Sequence, residues 1–190
     1  MDPAIKPIVV TGAGVLACNG IGIKPFWNAI ASGTSGIRTI YRFDVENFPS
    51  KIAGQLWDFD PADFLSKTTL KRWYRATHLA LAGAIMAVED TEFAKAGYDP
   101  ERVAPGIGTS FGSTDEMYHQ NRHNFETKGW KRMEKLSSSA TSDHAPTATV
   151  GAHFGSVGRP FPSEAAARPE SSPNRIGRAS HFTSRKEAHS

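Results

Sequence analysis

Residues able to do chemistry are few and scattered along this chain. Gly12-x-Gly14-x-x-Ala17 follows a β-branched run and formally matches the dinucleotide fingerprint, in which glycines let the backbone approach a pyrophosphate at a helix N-terminus. The fingerprint needs a helix to begin inside the motif, yet Cys18-Asn19-Gly20-Ile21-Gly22 is another loop, and no strand ending in an acidic residue follows. A structural glycine turn is the expectation, with a nucleotide-binding oxidoreductase kept as an alternative. His119 and His123 stand four apart, which puts both on one helical face at a spacing that suits zinc. With no third ligand in register, the pair reads as a solvated surface feature, and no metal or cofactor is expected. Cys18 is a nucleophile only if a base and a helix N-terminus meet it, and a small thiol beside a glycine turn is ordinarily a packing residue. Tyr74, Arg75 and His78 fall on a helix and are read as its surface. Trp130 with Lys128, Lys131 and Arg132 forms a basic aromatic cluster that reads as a solvated turn.

The elements that must position these groups follow from hydrophobic spacing. Ile8–Val10 predicts a buried strand entering the turn Thr11-Gly12-Ala13-Gly14. Pro25, Phe26, Ile30 and Gly33 mark a short helix with a glycine stop, whose apolar face should pack on a sheet. From 37 to 64 the apolar residues are mostly aromatic and interrupted by Asp, Asn and Pro. That predicts an excursion of loops, with Ile52–Leu56 its one strand-like piece. Residues 71–91 carry Ala76, Leu79, Ala80, Gly83, Met86 and Ala87 at helical spacing, and Leu81, Ile85 and Val88 make a second apolar row, so one long buried helix is expected. Val103–Gly108 reads as a strand broken by Pro105, followed by a helix over 114–125. Ser137–Ser142 reads as a loop, and a helix runs from Pro146 to Phe154 with Gly155 as its stop. The order strand, helix, helix, strand, helix, helix fits an α/β layered domain.

At 190 residues, 39% hydrophobic and 22% charged, the chain suits one core rather than two. The net charge of +3 is scattered, which argues against a nucleic-acid partner. A single cysteine precludes an internal disulfide framework, and no apolar run is long enough to span a membrane, so a cytoplasmic protein is expected. Among the last thirty residues only Phe161, Ile176 and Phe182 are large and apolar, against five basic and three acidic ones. Residues 1–160 are therefore read as the domain and 161–190 as a disordered tail, unable to offset its ordering entropy.

Taken together, the segments resemble one family. Val9-Val10-Thr11-Gly12-Ala13-Gly14-Val15, then Phe26-Trp27, Gly33-Thr34-Ser35-Gly36-Ile37, Phe43-Asp44, Ile52-Ala53-Gly54 and Phe59-Asp60-Pro61 resemble, in order, the opening of elongating beta-ketoacyl-acyl-carrier-protein synthases. Gly106–Gly112 is similar to the family's central strand and glycine turn. Ala145–Val150 and Gly158-Arg159-Pro160 are similar to the helix and Gly-x-Pro step that precede its nucleophile. The resemblance implies an α/β fold that is part of the thiolase-like architecture, its N-terminal half of layered sheet and helices. It also implies a homodimer in the complete family, acyl carrier protein as partner, and decarboxylative condensation of acyl and malonyl groups through a cysteine and two histidines. Phe111 and Gly112 are implied as neighbours of the acyl pocket or the dimer face.

The resemblance stops after Pro160. Where the family continues into a strand with a Thr-Ala-Cys type motif, this chain reads Phe161-Pro162-Ser163-Glu164-Ala165-Ala166-Ala167-Arg168, which puts Arg168 near the expected cysteine. His144 and His153 lie upstream and do not correspond to the family's histidines. The expectation is a chain cut off by a frame change or early stop before its catalytic residues, with no site residue of its own and no condensing activity alone. A non-catalytic ketosynthase partner subunit is the alternative.

Overall fold

The computed structural model describes residues 8–91, 93–109, 112–128, 137–156 and 158. Two short antiparallel strand pairs, six α-helices and three single-turn 3-10 helices make up the regular structure among these residues. β1 (Leu16–Ala17) and β2 (Gly20–Ile21) turn through Cys18 and Asn19, and β3 (Ile37–Thr39) pairs with β4 (Ile52–Gly54) in the register Ile37 to Gly54. Between the hairpins lies α1 (Ile23–Ala31), with Pro25 in its first turn as expected. Ala29 is its buried residue, while Trp27 and Ile30 stay exposed, so its expected packing on a sheet is only partial.

The long helix expected over 71–91 is two. Ser66 caps α2 (Lys67–Arg72) by accepting the Thr69 N–H, and Trp73 and Tyr74 then turn to extended backbone before α3 (Arg75–Glu89) begins. Tyr74 offers α3 no side-chain cap, and the cap comes from elsewhere in the chain. α4 (Thr114–Lys128) runs slightly beyond the expected helix, and α6 (Ala145–Phe154) ends at Gly155 as its sequence indicates. The serine-rich stretch, expected as a loop, is the short helix α5 (Ser137–Thr141).

The two expected strands, Ile8–Val10 and Val103–Gly108, are not strands here. Ile8, Val9 and Val10 are 76%, 69% and 89% exposed, and neither segment finds a ladder partner among the described residues. β-branched residues favour strands through packing and pairing, so without neighbours the preference has nothing to act on. In the second segment Pro105 also lacks an N–H to donate. The core lies instead where α3 packs on α6, with Leu65, Leu81 and Val150 at its centre and Phe64, Leu70, Ile85, Ile107 and Phe154 around them. The expected tail 161–190 lies outside the described residues.

Candidate functional site

The segment from Val103 to Ser113 is fastened along α6. At one end the Val103 carbonyl accepts the Ser156 hydroxyl and, at 3.1 Å, the Gly158 N–H. In the middle Pro105 lies against Gly151, where a Cβ would sit 3.2 Å from its ring, and Ile107 enters the core. At the other end Gly112, with φ 55, donates its N–H to Thr109 Oγ1 at 3.0 Å. A Cβ on Gly112 would lie 3.4 Å from Asp143 Cα and 3.5 Å from the Thr141 carbonyl, so this turn packs on the α5–α6 junction. Ser113 is buried beneath it and starts α4. The segment thus runs from the C-terminal to the N-terminal end of α6, and delivers Gly112 at a left-handed position that favours glycine. Phe111, the other residue implied for an acyl pocket or dimer face, lies outside the described residues.

Glu116, one turn into α4, fixes the turn relative to α3. Its carboxylate accepts the Arg75 backbone N–H at 2.8 and 3.1 Å, placing negative charge at the start of a helix with no acid in its own first turn. The sequence reading missed this residue. The available signal was that Tyr74 is a poor cap for so long a helix.

α3 and α6 carry several polar groups into the core. Thr77, Thr147 and Thr149 are buried with hydroxyls that have no hydrogen-bond partner among the described residues, and the same holds for Asn124 Nδ2 on α4 and for His78 Nε2. Burial pushes the His78 pKa below 6.5, with the backbone of Thr69 and Trp73 acting the other way. His78 is half-buried rather than on the helix surface, as are Tyr74 and Arg75.

The other candidates separate. The glycine fingerprint does not form, since Gly14 leads into the β1–β2 hairpin. A Cβ on Gly12 would sit 2.5 Å from the Ala87 carbonyl oxygen. One on Gly14 would sit 2.8 Å from Ala87 N and nearer still to the Gly83 carbonyl oxygen. These glycines admit the backbone of α3, with Ala13 N–H donating to Asp90 at 3.1 Å. Cys18 is partly buried in the hairpin turn, its Sγ 3.0 Å from where a Gly54 Cβ would stand. His119 and His123 are exposed on α4, and His144 and His153 are exposed at the two ends of α6. Among the described residues no group of three or more His, Cys, Asp or Glu is arranged to hold a metal ion. No described helix is long and apolar enough to cross a membrane. The cluster around Trp130, Lys131 and Arg132 lies outside the described residues, as does Arg168.

Comparison with known proteins supplies what the geometry alone does not. The family model "Beta-ketoacyl synthase, N-terminal domain" matches residues 5–166. The ketoacyl synthase alpha subunit of the tetracenomycin polyketide synthase of Streptomyces glaucescens is 40% identical over 112 residues, covering 58% of this chain and 26% of that protein. The ishigamide ketosynthase/chain length factor superposes with a TM-score of 0.62 at 25% identity, over 76% of this chain and 36% of the other. A type II polyketide ketosynthase, solved with its acyl-carrier protein, gives 0.64 at 19% identity, over 80% and 40%. The architecture is therefore that of the thiolase-like ketosynthases. The chain spans about a quarter of the curated relative and well under half of the solved chains.

Proposed function

The chain belongs to the beta-ketoacyl synthases through their N-terminal domain, and from that membership we propose that it is the N-terminal half of a condensing enzyme that builds polyketide or fatty acyl chains. The reaction joins an acyl group to malonyl, each delivered on an acyl carrier protein, with loss of carbon dioxide. The single observation that carries this reading is the family match over residues 5–166, which embraces α1 to α6 and the Gly112 turn. The likeness to a ketosynthase solved with its carrier protein supports that partner class. A second ketosynthase subunit, identical or related, is the other partner proposed. Residues 1–160 form the domain in this reading and 161–190 a tail.

These 190 residues do not condense by themselves. The sole cysteine, Cys18, is packed in a hairpin turn against Gly54, whereas the described histidines stand on or beside α3, α4 and α6. An acyl-accepting thiolate needs an activating neighbour, and among the described residues no histidine is hydrogen-bonded to Cys18. Within the described residues Gly112 is the nearest thing to a site: it is the left-handed turn that lines an acyl pocket or subunit face once the fold is completed. A second reading, a non-catalytic partner subunit, is favoured by the likeness to a ketosynthase/chain length factor.

The test is release of carbon dioxide from malonyl carrier protein with an acyl primer. The chain is assayed alone and mixed with a separately expressed second half that carries the cysteine and histidines. Turnover in the mixture alone is expected. Turnover by the chain alone overturns the claim of inactivity. Silence in both, with a stable complex to an intact ketosynthase on gel filtration, favours the partner-subunit reading.

A further inference from the structure

We propose that His119 and His123 form a two-point chelate for a zinc-class divalent cation on the outer face of α4. The pair stands at i and i+4 of a helix that is continuous over fifteen residues. That spacing brings two side chains over one another at about 5–6 Å between Cβ atoms. Imidazole nitrogens reach zinc at about 2.0–2.1 Å, so two rings one turn apart on the same helical face can close on one ion by side-chain rotation. The same spacing on a helix supplies two of the zinc ligands in the His-Glu-x-x-His motif.

Three further observations make this pair available. Both imidazoles are exposed, so chelation costs no burial and water completes the coordination shell. Arg122, the cation adjacent in sequence, is paired along the same helix. Its Nε donates to Glu126 at 2.8 Å, which partly neutralises its charge beside the incoming ion. The helix itself is anchored at its start by Ser113, buried under the Gly112 turn, and by Glu116 on Arg75, so the two rings are displayed from a fixed frame. His144 and His153 are exposed too, but they stand nine residues apart at opposite ends of α6 and lack the one-turn spacing. Because the spacing exists only while α4 is helical, the ion binds the folded chain in preference to the unfolded one and stiffens the helix that carries Glu116.

The experiment is equilibrium dialysis of the full chain against zinc chloride, with thermal unfolding followed in parallel, on the wild type and on His119→Ala, His123→Ala and His144→Ala. Alanine at an exposed helical position preserves the helix, so loss of binding cannot be put down to misfolding. One zinc per chain is expected, with affinity at least about tenfold weaker in either α4 variant and unchanged in His144→Ala, as loss of one of two ligand bonds dictates. Zinc at about a hundred times its dissociation constant should raise the melting temperature of the wild type and of His144→Ala alone. Failure of the wild type to bind, or binding by either α4 variant as tight as that of the wild type, overturns the proposal.

Discussion

The Glu116 carboxylate receives the backbone N–H of Arg75 on both of its oxygens, at 2.8 and 3.1 Å, across forty-one residues of sequence. This one contact caps α3 and ties it to the helix that follows the Gly112 turn. Glu116→Ala is expected to cost about 1 kcal/mol, the scale of a lost helix cap with its dipole term. Urea unfolding measures it. Glu116→Gln should recover part of the loss, because an amide oxygen still accepts; an unchanged midpoint in Glu116→Ala would show that the contact contributes nothing.

Gly14 is expected to tolerate no side chain. Its Cβ would press on the backbone of Gly83 and Ala87, which cannot swing aside as a side chain can. Gly14→Ala should therefore destabilise by about 1–3 kcal/mol or more, despite the entropy gained in the unfolded chain. Thermal melting checks this, and a nicotinamide cofactor should leave the wild-type melting temperature where it is. A clear upward shift with the cofactor would restore the nucleotide reading.

Leu81 is 2% exposed at the α3–α6 contact, between Leu65 and Val150. Leu81→Ala should cost about 2–5 kcal/mol, enough to unfold a marginal domain. Val150→Ala on the facing helix should cost less, since fewer methyl groups are removed. If calorimetry finds both within about 0.5 kcal/mol of wild type, the core has been misplaced.

His78 links stability to pH. Burial lowers its folded-state pKa below the unfolded 6.5, so the native state prefers the neutral ring. Its contribution is fully present above pH 6.5 and is lost as pH falls through the interval between the unfolded and folded values. The urea midpoint of the wild type should drop as the buffer is taken from neutral to mildly acidic. His78→Gln should flatten that drop, and an equally steep decline in the variant would assign the titration to another group.

Local signals were legible in the sequence and long-range ones were not. Pro25 and Gly33 bracket α1, Gly155 stops α6, and the helix after the glycine turn stands where its composition puts it. The break at Trp73 and Tyr74 was hidden because apolar spacing continues across it, and only Ser66 as an early cap betrays α2. The strands at Ile8 and Val103 read correctly as β-prone sequence, but a strand is a relation between segments and no partner is present among the described residues. The order of the family's motifs carried more than any residue's chemistry. Gly12 and Gly14 imitate a phosphate loop, and only the placement of α3 shows that backbone occupies the space they leave.

The attachment of Val103 to Ser156 and Gly158 also dictates the order in which this domain assembles. The two ends are fifty-three residues apart in sequence at the Ser156 hydroxyl, and α4, α5 and α6 all lie in the loop they close. The entropy of closing such a loop must be met before its contacts stabilise anything, whereas the hairpins and α3 form from near neighbours. The clasp on the segment carrying Gly112 thus comes from chain made after α4 and α5. Until α6 docks, Ile107 and Leu81 remain open to water and to other chains, and pulse-labelled amide exchange should find α6 protected after α3.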